Sequence, residues 1–451
     1  MSAGLEIRDP IHGFICREPR EQDIVDSVTF QRLRRLKQLA LANLVYPGAN
    51  HTRFDHSLGA FHVAGRMAQN LGLGPADAEL IRRAALLHDI GHAPFSHVSE
   101  PILKRHSGEK IALQPKQQVH ELISAQIILE DPHLTGLILD SDRKKIVQLL
   151  AGEYGYTLFK DIVSGPVDVD KQDYLLRDSY FCGVKYGIFD IDRLLNSVAV
   201  HDDGEDRFLA ISKDGVHVLE QFVLAKYYMT TQVYFHRIRL ITDEMIGRAI
   251  SLGIDVDGVD WLKTLYSYDG SLDYVKEYLE WNDERLTVKI LEESRDTYVR
   301  SIFEMLTKRR LLKCIFDFSE KDFSDPLAKL LVFAGSDGFH TRLQELIADR
   351  WKFDRNLVIC NRVTFKSPVK TESEISVLYP GKTRYFSEES IIFSTVNRAI
   401  NEQRFQVYAP TEYKDERDKK RQVREFEAEI SDMIHSIANA EPQGATTGGN
   451  E

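Results

Sequence analysis

Between residues 84 and 100 the chain reads Ala-Ala-Leu-Leu-His-Asp-Ile-Gly-His-Ala-Pro-Phe-Ser-His-Val-Ser-Glu. His88, Asp89, His92, His97 and Glu100, all able to bind a metal or move a proton, sit there among residues that are mostly apolar or small. An imidazole and a carboxylate on such a segment are costly to bury unless something pairs with them, and a divalent cation is one such partner. A lone histidine of this kind is most often a hydrogen-bonded core residue at a capped helix end. A cluster in so short a segment points instead to a metal or acid–base site.

Four helices must position these groups. A helix from Pro75 to Ile90 delivers His88 and Asp89: Pro75 suits a first turn, Leu80, Ala84 and Leu87 recur at helical spacing, and Gly91 is a natural stop. Thr52-Arg-Phe-Asp55 fits a capping box and opens a helix with His56 near its start and Leu58, Phe61, Met67 and Ala68 inward. His62, further along, reads as a structural or surface histidine. His120-Glu121 opens a third helix through Ile123 and Ile127. Around Asp168 to Tyr180 a fourth carries Asp170, Tyr174 and Asp178 on one face, four residues apart.

Elsewhere, residues 5 to 16 read as extended and Asp23 to Leu44 as one helix. Residues 101 to 118 read as a loop or irregular helices, and 197 to 212 as a β-hairpin turning at 202–206. Val216 to Ser251 reads as one long helix that stacks Lys226, Thr230 and Tyr234, and 260 to 350 as mostly amphipathic helix. β-like runs follow at 357–365, 375–378 and 404–408, then a highly charged helix over 412–438 and, by composition, a disordered tail over 441–451.

At 43% hydrophobic and 28% charged, the 451-residue chain has ample material for a core. Cys16, Cys182, Cys314 and Cys360 form no CxxC, which argues against a disulfide framework or thiolate metal site. No apolar run is long enough to span a bilayer and the first ten residues lack a signal-peptide stretch, so no membrane attachment and a cytoplasmic location are expected. The net charge of −11 makes a broad grip on nucleic acid unfavourable. It leaves room for a small polyanion, because Arg32, Arg34, Arg35 and Lys37, and Arg237 with Arg239, are local cations.

His56, His88-Asp89 and Asp170 form the H…HD…D pattern of the HD metal-dependent phosphohydrolases. The chain further resembles the HD-domain deoxynucleoside triphosphate triphosphohydrolases, through Asp9-Pro-Ile-His-Gly13, Phe30-Gln-Arg-Leu-Arg-Arg-Leu-Lys-Gln-Leu39 and Tyr46-Pro-Gly-Ala-Asn-His-Thr-Arg-Phe-Asp-His-Ser-Leu-Gly59. Leu87-His-Asp-Ile-Gly-His-Ala-Pro-Phe-Ser-His97, His120-Glu121 and Asp168-Val-Asp-Lys-Gln-Asp-Tyr-Leu-Leu-Arg-Asp178 extend the match over about the first 240 residues. No stretch matches the SAM domain that the human member adds.

The resemblance implies a mainly α fold: an all-helical HD catalytic core with small β-hairpins over 1–255, and an α+β C-terminal lobe over 256–440. It implies hydrolysis of a dNTP to deoxynucleoside and triphosphate, with His56, His88, Asp89 and Asp170 as ligands for Zn, Fe or Mn, and Mg or Mn with the nucleotide. His97 matches the general acid, and His92, Glu100 (an acidic variant of the usual Asp), His120 and Glu121 match the acid–base cluster around it. Arg53, Lys171 and Lys226 match phosphate contacts, and Tyr174, Asp178 and Tyr234 substrate contacts. Gln38 and Leu39 match the pair that holds the 3′-hydroxyl and crowds the 2′ carbon. Lys226 stands where the human relative has Arg, and Thr230 where it has His near the base. Asp26, Gln31, Arg34, His236 and Arg237 resemble an activating site for dGTP or GTP, around which such proteins assemble as dimers or tetramers. Two alternatives stay open on the residues alone: an HD phosphohydrolase of another nucleotide or a nucleic-acid end, and a nucleotide-sensing scaffold without turnover. The cyclic-dinucleotide class is disfavoured, because no GYP signature follows the HD pair.

Overall fold

The Arg53–Asn70 and Val169–Cys182 helices approach so closely that a Cβ on Gly59 would overlap the Asp173 carboxylate and the Arg177 guanidinium. This crossing, in a computed structural model that describes residues 5–108, 111, 113, 117–335, 337–365, 371–393 and 402–440, sits beneath the histidine cluster. The Arg53–Asn70 helix opens on the Thr52–Asp55 capping box, each residue's side chain taking the other's backbone N–H. Pro75 begins the Pro75–Leu87 helix, which packs along it and ends three residues earlier than the periodicity suggests, with His88 as the closing residue. Within the 101–118 stretch the structure forms a helix, Glu100–Ser107, and the next helix is Val119–Glu130. A Cβ on Gly91 would overlap backbone atoms of His120 and Ser124, so glycine lets that helix start directly against the HD turn.

Two expected helices are broken. The 23–44 segment divides into Pro19–Asp26, Val28–Gln31 and a tight turn Arg32–Arg35, then becomes extended at Leu36. Ser27 interrupts it by accepting the Phe30 N–H at 3.2 Å, and the Lys37 N–H goes to the Asp283 carboxylate at 2.9 Å instead of to a preceding carbonyl. Tertiary partners win over local periodicity. The 216–251 segment divides into Val216–Tyr228 and Arg237–Asp255, joined by a π-helical turn over Met229–Tyr234. There the Phe235 N–H reaches the Thr230 carbonyl at 2.9 Å, a five-residue step that rotates the second helix relative to the first.

The expected hairpin forms from Val198–Asp202 and Arg207–Ser212. Ser376–Tyr379 joins its second strand in parallel, and Lys382–Tyr385 pairs antiparallel with Ser376–Tyr379 to complete a four-stranded sheet. This sheet brings the preceding turn, Thr371–Glu374, against the Val216–Tyr228 helix. A second sheet places Glu402–Ala409 between Lys313–Ser319 and Ile359–Phe365. Lys313–Ser319 lies where helix was expected, because its short apolar run, Cys-Ile-Phe, carries no period of its own. The main apolar core begins at Ile15 and continues through Tyr266, Leu286 and Ile302, so packing does not break at 255. A smaller core packs Phe426, Ile430 and Ile434 of the Glu416–Ala440 helix over the second sheet. The four cysteines are free, and none of the described helices is long and apolar enough to cross a membrane. The tail expected over 441–451 lies outside the described residues.

Candidate active site

His56 and His88 face each other edge to face, ring centroids 5.3 Å apart, with Asp170 between them. His56 donates its Nδ1–H to Asp173 Oδ2 at 2.8 Å, and His88 donates its Nδ1–H to the Ala85 carbonyl at 2.7 Å. With Nδ1–H committed in each ring, Nε2 is the atom that each ring turns toward Asp170. Asp170 Oδ1 is 2.9 Å from His56 Nε2 and 3.8 Å from His88 Nε2, yet neither buried Nε2 has a hydrogen-bond partner. Orphaned imidazole nitrogens, oriented by bonds at the other ring nitrogen and converging on a carboxylate, are the donor set of a divalent-metal site. Ligand atoms of His56, His88 and Asp170 all lie within 4.8 Å of one another. Burial alone would lower the His56 pKa, but Asp170 and Asp173 raise it to about 10: the surrounding carboxylates demand positive charge.

Asp89, the fourth expected ligand, is turned partly away. Its Oδ1 stands 3.3 Å from His88 Nε2 and 3.2 Å from His92 Nε2, while Oδ2 forms a close ion pair with Arg53 Nη1. The Arg53 guanidinium, helped by His88 and His92, overcomes burial and holds the Asp89 carboxyl well below the usual range. Arg53, itself buried, also donates Nε–H to Ser96 Oγ at 2.7 Å and comes within 3.4 Å of His97 Nε2. It therefore ties the metal-side carboxylate to the turn that carries His97. Phe95 and Ser96 in that turn have φ of 60° and 53°, a left-handed pair of non-glycine residues that stores strain where His97 is presented.

His97 is ringed by protein but open to the adjoining cavity. Desolvation by the surrounding protein, with the nearby Arg53 and His120, holds its pKa down to about 3, so it is a neutral imidazole. His92 lies between His97, ring centroids 5.2 Å apart, and His120, stacked at 4.0 Å. Glu100 accepts from His120 Nδ1 at 2.8 Å and from the Val119 N–H at 2.5 Å, which anchors the Val119–Glu130 helix. Glu121 does not join this cluster: it is exposed and spends its carboxylate capping its own helix at Gln118.

The cavity beside the metal-type cluster is about 320 Å3 and is lined by Gln38, Leu39, Arg53, Asp89, His97, Asp170, Tyr174, Asp178, Tyr234 and Arg239. Tyr234 donates to Asp178 Oδ2 at 2.7 Å, and His51 holds the other Asp178 oxygen at 2.7 Å. Lys171 and Lys226 are already paired. Lys171 Nζ bonds Asp168 and, at 3.0 Å, the Gly165 carbonyl; Lys226 Nζ meets the fully buried Glu372 at 2.6 Å.

The five residues expected at an effector site fall into two groups that no hydrogen bond or ion pair joins among the described residues. Asp26 accepts from Gln22 at 2.5 Å and Arg34 donates to Gln31 at 2.8 Å while lying over the Phe54 ring. His236 caps the Arg237–Asp255 helix at the Ile238 N–H, and Arg237 is exposed.

The family profile of the HD domain matches residues 53–178, which hold all four expected metal ligands, and the profile of the HD-associated region matches 189–432. The chain belongs to the HD-domain phosphohydrolases. A deoxynucleoside triphosphate triphosphohydrolase SAMHD1 homolog of Dictyostelium discoideum is 30% identical over 68% of this chain and 59% of its own length. An uncharacterised protein of Methanocaldococcus jannaschii is 39% identical over 58% of this chain and 52% of its own. The chain thus spans a little over half the length of these relatives. A crystal structure of a hypothetical protein from Aquifex aeolicus superposes with a TM-score of 0.67 at 28% identity, covering 90% of this chain and 96% of that one. A phosphohydrolase from Bacteroides thetaiotaomicron superposes at 0.70 and 24% identity, over 90% of this chain and 99% of that one, and so shares the fold.

Several residues of this phosphohydrolase site carry no signal that singles them out in the sequence. Asp173 receives His56, His12 and Arg177, and Arg177 reaches on to Asp9 at 2.8 Å. All lie inside the short stretches that carry the family resemblance in the sequence, but only the helix crossing at Gly59 shows that they act together. Glu372 comes from a distant turn, and Arg239 reads in the sequence only as a local cation.

Proposed function

We propose that the protein hydrolyses deoxynucleoside triphosphates to deoxynucleoside and inorganic triphosphate. The observation that carries this reading is a single cavity whose lining joins Asp170 of the His56–His88–Asp170 cluster and the Arg53–His97 pair to Gln38, Leu39, Tyr174, Asp178 and Tyr234. The names of the relatives that are triphosphohydrolases support it.

His56, His88 and Asp170, with Asp89 in reach, would hold a divalent cation, which supplies Lewis acidity toward a phosphoryl oxygen and lowers the pKa of a water. Arg53 neutralises charge on the α-phosphate. Water adds to the α-phosphorus and the bond from phosphorus to the sugar 5′-oxygen breaks. That oxygen is a poor leaving group, and His97 gives it a proton as it departs. The neutral His97 gains the proton when a polyphosphate offsets Arg53, so protonation is coupled to substrate binding. The His92–His120–Glu100 stack is placed to hold and return that proton. Lys171 and Lys226 exchange their carboxylate partners for phosphate oxygens, Gln38 and Asp178 hold the sugar hydroxyl, and Leu39 crowds the 2′ carbon against ribose. The exposed Asp26, Arg34 and Arg237 favour a guanine-nucleotide effector site completed between copies of the chain.

The test incubates purified protein with each dNTP and NTP and Mg or Mn, with and without dGTP, and separates the products. Deoxynucleoside plus triphosphate is the expected pair, lost in His88→Ala. Release of mono- or diphosphate, or no product, would overturn the proposal.

A further inference from the structure

On the far side of Gln38, His97 and Arg239 lies a second cavity of about 400 Å3. One wall is a single face of the Arg237–Asp255 helix, where Leu240, Asp243, Glu244, Gly247 and Ser251 recur at three- and four-residue spacing. A packed helix fills such a face with aliphatic side chains. Here two positions are carboxylates, and Gly247 has nothing within 4 Å of where a Cβ would stand. Glycine is unfavourable in a helix interior, so this void is kept open against local preference. The opposing wall is mostly apolar, through Ala40, Phe95, Val98, Pro101 and Ile102.

Arg239 stands where the two cavities meet. Its guanidinium lies over the Tyr234 ring, 5.3 Å from the centroid, and its Nε is 3.6 Å from Asp243 Oδ2, too far for a hydrogen bond. Arg239 Nε and Nη1 and Asp243 Oδ1 are buried without a hydrogen-bond partner. Unmet donors and an unmet acceptor side by side are costly, and a ligand that satisfies both at once recovers that cost. Burial pushes the Asp243 pKa up to about 6, which still leaves a carboxylate at neutral pH.

We infer that this second cavity receives the nucleobase, and that Asp243 and Arg239 read guanine in preference to the other bases. The inference rests on the nucleotide reading above. A carboxylate only accepts and a guanidinium only donates. Guanine alone among the four bases offers two parallel N–H groups, N1–H and the 2-amino group, to one carboxylate, with its O6 beside them for the guanidinium. Adenine and cytosine present one amino group next to a bare ring nitrogen, and thymine a single N–H between two carbonyls. The apolar wall covers the flat faces of the ring.

The test has two readouts, with GTP held constant so that any effector site is in the same state throughout. One is kcat/KM for dGTP, dATP, dTTP, dCTP and deoxyinosine triphosphate, which lacks the 2-amino group. The other is equilibrium binding of deoxyguanosine, deoxyadenosine and inorganic triphosphate, none of which is turned over. Wild type should favour guanine over adenine, and dGTP over deoxyinosine triphosphate, by about tenfold or more. Asp243→Asn should bring the guanine-to-adenine ratio toward one. Gly247→Leu, which fills the void, should lose deoxyguanosine binding. Both variants should still bind inorganic triphosphate, which reports that they are folded. Equal handling of all bases by wild type, or a guanine preference untouched by Asp243→Asn, overturns the inference even if hydrolysis proceeds. Guanine-selective binding without hydrolysis keeps the base site and removes the hydrolase reading. Should neither variant fold, equal kcat/KM for dGTP and deoxyinosine triphosphate on wild type overturns it.

Discussion

Replacing Asp173 by Asn should weaken metal binding without touching a ligand. Asp173 is fully buried and accepts from His56 Nδ1 at 2.8 Å and from Arg177 Nε and Nη2 at 2.9 Å, with His12 Nε2 at 2.7 Å. An amide has one acceptor oxygen for these donors, and its own NH2 would face a donor. Loss of a partner that orients a metal-binding histidine typically costs about 10- to 100-fold in metal affinity, or about 1.4 to 2.7 kcal/mol. Breaking a buried ion pair costs about 3 to 5 kcal/mol of stability, and the low end applies because Asp9 still holds Arg177 Nη1 at 2.8 Å. Metal content after dialysis, the dissociation constant from competition with a chelator, and melting of the metal-free and loaded forms separate the two effects. If Asp173→Asn folds and binds metal as tightly as wild type, the claim that Asp173 orients His56 toward a cation is refuted.

Three further outcomes follow from single contacts. Gly59→Ala should melt well below wild type or fail to fold, because its methyl would overlap Asp173 and Arg177 in the helix crossing; calorimetry showing an unchanged melt would contradict that packing. Glu372→Gln removes the charge paired with Lys226 at 2.6 Å, so inorganic triphosphate should bind several-fold more tightly, as calorimetric titration would show; unchanged or weaker binding would mean that Lys226 does not meet phosphate. Asp283, nearly fully buried, is pushed up to about 6 by desolvation. Its protonated form is the one the fold favours, so this contribution is complete below about pH 4 and lost as pH rises through about 6, in total about 3 kcal/mol. Denaturant unfolding of wild type and Asp283→Asn should therefore show wild type's relative stability falling between pH 4 and 7.5, whereas parallel profiles would refute the assignment.

What could be read along the chain was whatever neighbours within a turn or two decide. The Thr52–Asp55 capping box, Pro75 at a first turn, and the shared face of Asp170, Tyr174 and Asp178 all depend on spacings of three or four residues, and they bring the metal-type groups to helix ends and one helix face. The breaks in the 23–44 and 216–251 segments were not legible, because a distant Asp283 and a five-residue backbone step override a periodicity that continues unbroken in the sequence. The strand Lys313–Ser319 escaped for a related reason: a short buried run has no period to distinguish strand from helix until Glu402–Ala409 pairs with it. Partner choice among charges belongs wholly to the tertiary structure. Nothing near Asp89 says that it will meet Arg53, and nothing near Lys226 points 146 residues ahead to Glu372. Residue types and short spacings determined that a cation-demanding cluster would form. Long-range packing, through the contact at Gly59, the start at Gly91 and the turn at Thr371–Glu374, decided which carboxylate faces which cation, because ion pairing depends on distance in space and the chain sets that distance only once it is folded.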